Sequence, residues 1–249
     1  MARPRVYAIP ASPPCLCVEA ALRLKGVAYD VTALPPVFHV VHQRLRFGTL
    51  TVPVLTLPGG EVVRGSRAIC ARIEAEWPAA PSLYPSAIAA RVREAERWGD
   101  EDLQPYGRRM LWWAMRRRPA SAFSYVEDAK LVVPMPAAVA KRLGPVLTPV
   151  GQWRNRGTDD AVQRDFATLP SALDHISALM DDGVIGGAEP NAADLQILAV
   201  IRALMTIGDV ARVIDTRPRV AELARRVFPS WPGHVPAGVA PADWLPAEA

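Results

Sequence analysis

"TVPVLTLPGGEVVRGSRAIC", residues 51–70, organises the first third of the chain. Two β-rich runs, at 52–57 and 61–64, flank Pro-Gly-Gly, the composition of a tight hairpin. Ser66 follows, and "RAICARIEAEW" at 67–77 spaces Ile69 and Ile73 by four, which predicts a helix capped by that serine. Upstream, "RVYAI" at 5–9 predicts a first strand, ended by Pro10, Pro13 and Pro14. "CLCVEAALRLK" at 15–25 sets Leu16, Ala20 and Leu24 against Glu19 and Arg23, a helix with Gly26 behind it as C-cap. "AYDVTAL" at 28–34 predicts a second strand, parallel to the first through a right-handed crossover. Residues 35–50 read as an irregular helix or loop. The order is therefore β-α-β, a helical segment, then β-β-α.

"PAAPSLYPS" at 78–86 predicts a linker between a first domain, residues 1–78, and a second, 86–230. Segments at 86–118, 120–130, 135–155, 159–182, 191–207 and 217–228 repeat apolar positions at three- and four-residue spacing, so the second domain reads as all helix. The tail, 231–249, is rich in Pro, Gly and Ala and predicts coil over the surface. The fold class is α+β.

Half of the 249 residues are hydrophobic, enough for a sizeable core. Lys and Arg number 29 against 25 Asp and Glu, a bias too mild to indicate nucleic acid as a partner. Pro4, Pro10, Pro13 and Pro14 interrupt any signal-peptide core, and the longest apolar run, 195–208, holds Gln196 and Arg202. The expectation is a soluble, cytoplasmic protein without a membrane partner. Three cysteines, two of them only two residues apart, predict no disulfide framework. His39-x-x-His42 lacks a third ligand type nearby, so no metal is expected.

"ASPPCLCVEAALRLKGVAYDV", "TVPVL", "GSRAI" and "GGAEPNAADLQIL", in this order over roughly residues 4–228, resemble cytosolic glutathione transferases of the serine type. The resemblance implies a thioredoxin-like N-terminal domain (β-α-β-α-β-β-α) followed by an all-α domain. It also implies a homodimer, glutathione as cosubstrate, and conjugation or transformation of a small hydrophobic electrophile. Val52-Pro53 is similar to the family's cis-proline turn, where the residue before proline pairs with the cysteinyl part of glutathione. Ser66, with Arg67 behind it, matches the family's site for the γ-glutamyl carboxylate, although Gly65 stands where the family carries an acid. Ser12 before Pro13 resembles the thiolate-stabilising Ser-Pro. Ser12-Pro13-Pro14-Cys15 also reads as a C-x-x-C with its first Cys replaced, so Cys15 in a first helical turn is a second candidate for the reactive group. For the glycyl carboxylate the candidates include Gln43 and Arg46. Tyr106, Met110 and Trp113, in "DLQPYGRRMLWWAMRRRP", are candidates for an apolar electrophile pocket, with arginines at its rim. The alternative reading is a protein of this fold without glutathione chemistry: a binding or scaffolding module, or the user of another thiol. Asn191 and Asp194 form a capping-box pattern, a folding feature.

Overall fold

The computed structural model describes residues 3–79, 81–134 and 136–245. The first seven elements are β1 (Arg5–Ala8), α1 (Pro13–Leu24), β2 (Asp30–Ala33), α2 (His39–Phe47), β3 (Val54–Thr56), β4 (Val62–Arg64) and α3 (Ser66–Glu76). They build a sheet of order β2-β1-β3-β4, in which β2 runs parallel to β1 while β3 pairs antiparallel with both β1 and β4. The ambiguous 35–50 stretch contains a helix, α2, ended by Gly48 at φ 68°. Glycine takes that left-handed conformation without steric cost.

The buried side of α1 is Cys15, Cys17, Val18, Ala21 and Leu22, rather than the expected stripe of Leu16, Ala20 and Leu24, which is half-buried. The helix is covered on two sides, by the sheet domain and by the central helix of the second half, so its apolar face is wider than a surface helix needs.

That second half contains α4 (Ala89–Trp98), α5 (Gln104–Arg117), α6 (Ala137–Arg154), α7 (Asp159–Asp181), α8 (Ala192–Leu204), α9 (Gly208–Asp215) and α10 (Pro218–Val227). A π-helical turn, Gly99–Leu103, joins α4 to α5 without a break. A β-carbon at Gly99 would stand 2.8 Å from Ile197 Cγ1, so the glycine lets this turn lie directly on α8. The helix α9 is absent from the sequence reading, although Val210, Val213 and Ile214 give it a buried face.

Every residue of α8 except Arg202 is buried, as expected for a helix apolar all round. Its N-terminus is buried too, so its free amides need partners. Asn191 Oδ1 accepts from the amides of Ala193 (2.9 Å) and Asp194 (3.2 Å), while Asp194 Oδ2 accepts from Asn191 N–H at 3.0 Å. The capping box of the sequence is present, and Asp194 Oδ1 also holds Gly186 N–H at 2.8 Å. The segment after α3 is stitched down: the Lys25 ammonium pairs with Glu74 at 2.7 Å and donates to Ala79 C=O, and Ala192 N–H donates to Leu83 C=O.

The tail departs from the expected surface coil. Asp209 Oδ1 accepts from Gly238 N–H at 2.8 Å, and its Oδ2 accepts from Val239 (2.8 Å) and Ala240 (2.9 Å). Val235 and Val239 are buried, and Trp244 stacks on Trp113 with ring centroids 5.6 Å apart. Prolines and glycines here leave backbone donors for a carboxylate to collect, so the composition reported irregular backbone rather than exposure.

Candidate functional site

A cavity of about 240 Å³ lies where the two halves meet. One wall is the β1–α1 junction at 9–14, another the turn into α2 at 35–39, and a third Leu50, Thr51 and Val52. The helical half closes it with α5, the 3₁₀ segment Pro119–Tyr125 and α6. Two glycines let α6 lie flat over the site: a β-carbon at Gly151 would stand 2.0 Å from the Trp112 ring, and one at Gly144 would stand 2.9 Å from Pro119 C=O. The lining is mostly apolar, with few polar groups to orient a ligand.

Ser12 borders the cavity from the N-cap position of α1. Its C=O accepts the amides of Cys15 and Leu16 at 3.0 Å, and its hydroxyl makes no capping bond. Val52 borders the same cavity, and the Val52–Pro53 peptide is cis. Among the described residues the Val52 N–H and C=O have no backbone partner. Gly65 N–H donates to Pro53 C=O at 3.1 Å, which fixes the start of α3 beside this turn. The first helical bond of α3 runs from Ile69 to Gly65, so the amides of Ser66, Arg67 and Ala68 have no acceptor within the helix, an arrangement suited to an anion.

The model of the glutathione S-transferase N-terminal domain matches residues 6–81. Glutathione transferase F7 from Populus trichocarpa is similar over 90% of this chain and 92% of its own, at 17% identity and a TM-score of 0.63. This chain has the glutathione S-transferase fold. A glutathione S-transferase from Rhodospirillum rubrum F11 is 18% identical, covers 98% of each chain and gives a TM-score of 0.58. A glutathione S-transferase from Methylobacillus flagellatus KT, solved with glutathione bound, is 16% identical over 98% of this chain and 100% of its own, with a TM-score of 0.55. A search of curated proteins finds no significant match.

Within this fold the candidate residues divide. Ser12 and Val52 border the cavity, whereas Pro53 and Ser66 are not in its lining, although Gly65, just before Ser66, donates its N–H to Pro53 C=O. The expected serine cap of α3 is corrected: Gly65 is the N-cap, and Ser66 is the first helical residue and makes no capping bond; Arg67, next to it, is held by Glu101 at 2.7 Å. Cys15 is a correction as a reactive group: its side chain is wholly buried, and burial pushes the thiol up to about 12 against the smaller effect of the Ser12 hydroxyl. At neutral pH it is a protonated packing group. Among the described residues Gln43, which is buried, has no partner for either amide atom, and Arg46 lies 5.5 Å above the Tyr7 and Phe47 rings; neither borders the cavity.

Tyr106, Met110 and Trp113 are corrected as pocket residues. The cavity face of α5 is Gln104, Gly107, Arg108, Leu111, Trp112 and Met115. Tyr106 turns its hydroxyl to Thr168 at 2.8 Å, Met110 is fully buried, and Trp113 donates to Asp159 at 2.9 Å. Bulky groups surround α5 on all sides, so its sequence could not say which face the cavity takes.

Two polar groups in the lining, His39 and Arg154, escaped assignment to the pocket, and a third, Arg108, is one of the arginines expected at its rim. His39 opens α2, and burial, helped by the nearby Arg154 charge, lowers it to about 4, so it is neutral at pH 7. Arg154 Nη2 donates to Leu50 C=O at 3.4 Å and ties α6 to the sheet domain. Arg108 has no ion pair among the described residues, and desolvation holds its guanidinium below the ordinary value. Among the described residues no three metal-ligating side chains converge.

Proposed function

We propose that the chain is a glutathione-dependent transferase that joins the tripeptide's sulfur to an apolar electrophile held in the cavity between the β1–α1 junction, α5 and α6. One observation carries the reading: Ser12 and the unpaired backbone groups of Val52 border the same apolar cavity. An extended peptide pairs with Val52 as a further strand pairs with a sheet edge. Its γ-glutamyl carboxylate meets the Ser66 hydroxyl and the free amides of α3. The Ser12 hydroxyl donates to the sulfur and favours the thiolate, whose proton leaves to solvent. The thiolate then attacks the electrophilic carbon; the S–C bond forms as the leaving group departs with its electron pair. Leu111, Trp112 and Met115 exclude water, and Arg108 faces the negative charge that develops on the leaving group. We read the active form as a homodimer.

Gly65 favours a second reading, the same fold without glutathione. It stands at φ 83°, where an L side chain is strained, so the acid the resemblance leads one to expect is absent. Calorimetric titration with reduced glutathione separates the two. Binding of about −4 to −8 kcal/mol, weakened in Ser66→Ala, supports the transferase, and Ser12→Ala then loses turnover of a chlorinated nitroarene while still binding. An absence of heat at saturating glutathione turns the assignment to the second reading.

A further inference from the structure

The face around the cavity opening combines exposed apolar side chains with unpaired cations. Phe38, Val41 and Leu45 project from the start and body of α2, and Val146, Val150 and Trp153 from α6. Leu45 is 84% exposed and Trp153 81%, extreme values for residues of their size. The two helices are held around one opening: Phe38, Leu50 and Arg154 are exposed and also line the cavity, and Arg154 bonds Leu50 C=O. Leu131 lies parallel beside Ala33, with Val132 N–H donating to Ala33 C=O at 2.8 Å, so the segment leading into α6 extends the β2 edge.

Charge is one-sided on the same segments. Residues 31–60 and 129–158 contain no Asp or Glu. Arg44, Arg46, Lys141, Arg142, Arg154 and Arg156 are all exposed, and among the described residues none forms an ion pair. On other parts of the surface, where carboxylates are present, Arg67, Arg72, Arg97 and Arg109 are each held by one.

We infer that this face docks on an anionic lipid surface, with the apolar side chains of α2 and α6 entering the headgroup boundary and the surrounding cations meeting lipid phosphates. Large apolar groups, a tryptophan among them, ringed by Lys and Arg are the chemistry of an interfacial segment. A second copy of this chain is a poor occupant, because a two-fold contact through this face opposes six unpaired cations to six more. Phe38, Leu50 and Arg154 are both exposed and part of the cavity lining, so an apolar substrate dissolved in the bilayer would enter between them. The expectation of no membrane partner rested on the lack of a spanning segment, and among the described residues no helix is long and apolar enough to cross a membrane. Surface docking needs none.

Co-sedimentation with vesicles tests this, using phosphatidylcholine alone and phosphatidylcholine with about 30% phosphatidylglycerol. The protein is expected to pellet with the anionic vesicles, to stay in solution with the neutral ones, and to be released by high salt. Leu45→Asp/Trp153→Asp removes the inserted groups and Lys141→Glu/Arg142→Glu reverses the charge; none of the four residues lines the cavity. The charge variant, which loses two cations and gains two anions, is expected to weaken binding by at least about thirtyfold, and unchanged melting temperatures establish that both variants fold. The absence of pelleting with anionic vesicles, or equal pelleting of a folded variant, overturns the inference. So does a fall in oligomer mass on Leu45→Asp/Trp153→Asp, since the face would then be covered by a second copy.

Discussion

Replacing Asp209 by Ala tests whether the tail is part of the folded unit. The carboxylate is 1% exposed and accepts three backbone N–H groups, from Gly238, Val239 and Ala240, at 2.8 to 2.9 Å. It also lies in the first turn of α9, where the helix dipole favours a negative charge. Gly238 is exposed and regains water as a partner, whereas the Val239 amide stays buried. One orphaned buried donor costs about 1–3 kcal/mol, and two lost charge-assisted bonds add about 1 kcal/mol each after water replaces them. The sum is about 3–5 kcal/mol. With roughly 2.1 cal/mol/K of unfolding entropy per residue, 249 residues give about 0.5 kcal/mol/K, so the melting temperature should fall by about 6–10 °C. Scanning calorimetry reads the shift, and hydrogen exchange should show amides 238–240 losing protection. Asp209→Asn, which keeps one acceptor oxygen, should fall between. A shift under about 1 °C in the alanine variant with exchange unchanged refutes the reasoning: the tail would then be held by Val235, Val239 and the Trp113–Trp244 stack alone.

Two further expectations follow from buried groups. Burial lifts Glu96 to about 7, only partly opposed by the Tyr84 hydroxyl that donates to it at 3.0 Å. Its folded pKa lies above its unfolded one, so the unfolded chain gives up this proton first. The contribution is full below about 4.5 and is lost as pH rises through 7; in thermal melts across that range Glu96→Gln should flatten the decline, and an identical pH profile would count against it. The three thiols are all buried, with Cys17 raised by its contact with Cys70, 4.0 Å away, and by burial. None should react promptly with an aromatic disulfide reagent in the native protein at neutral pH, whereas all three should react after denaturation; one fast native thiol would return Cys15 to the list of reactive groups.

Local chemistry wrote much of this molecule. The strands, the α1 and α3 helices and the hairpin at Pro-Gly-Gly were legible because each depends on residues close in sequence: alternation, three- and four-residue spacing, and the turn demands of proline and glycine. The capping box at Asn191 and Asp194 was legible for the same reason, since both partners lie within one turn. Ser12 and Val52 were singled out because the order of the motifs resembles a known family, and both border the cavity. The face of α5 that lines the cavity was not legible. Tyr106, Met110 and Trp113 are as apolar as Leu111, Trp112 and Met115, and the difference is set by where α6, α7 and α8 press against the helix.

The sequence by itself determined most of the strands and helices, the capping box of α8, and that a helix start follows the Val-Pro turn, because these are consequences of a few neighbouring side chains. Only the tertiary structure decided that Cys15 is sealed, that Asp209 gathers the tail, and that α2 and α6 bring unpaired cations and bare apolar groups to one opening. Burial and charge balance are sums over segments far apart in the chain, and they exist only once those segments are packed together.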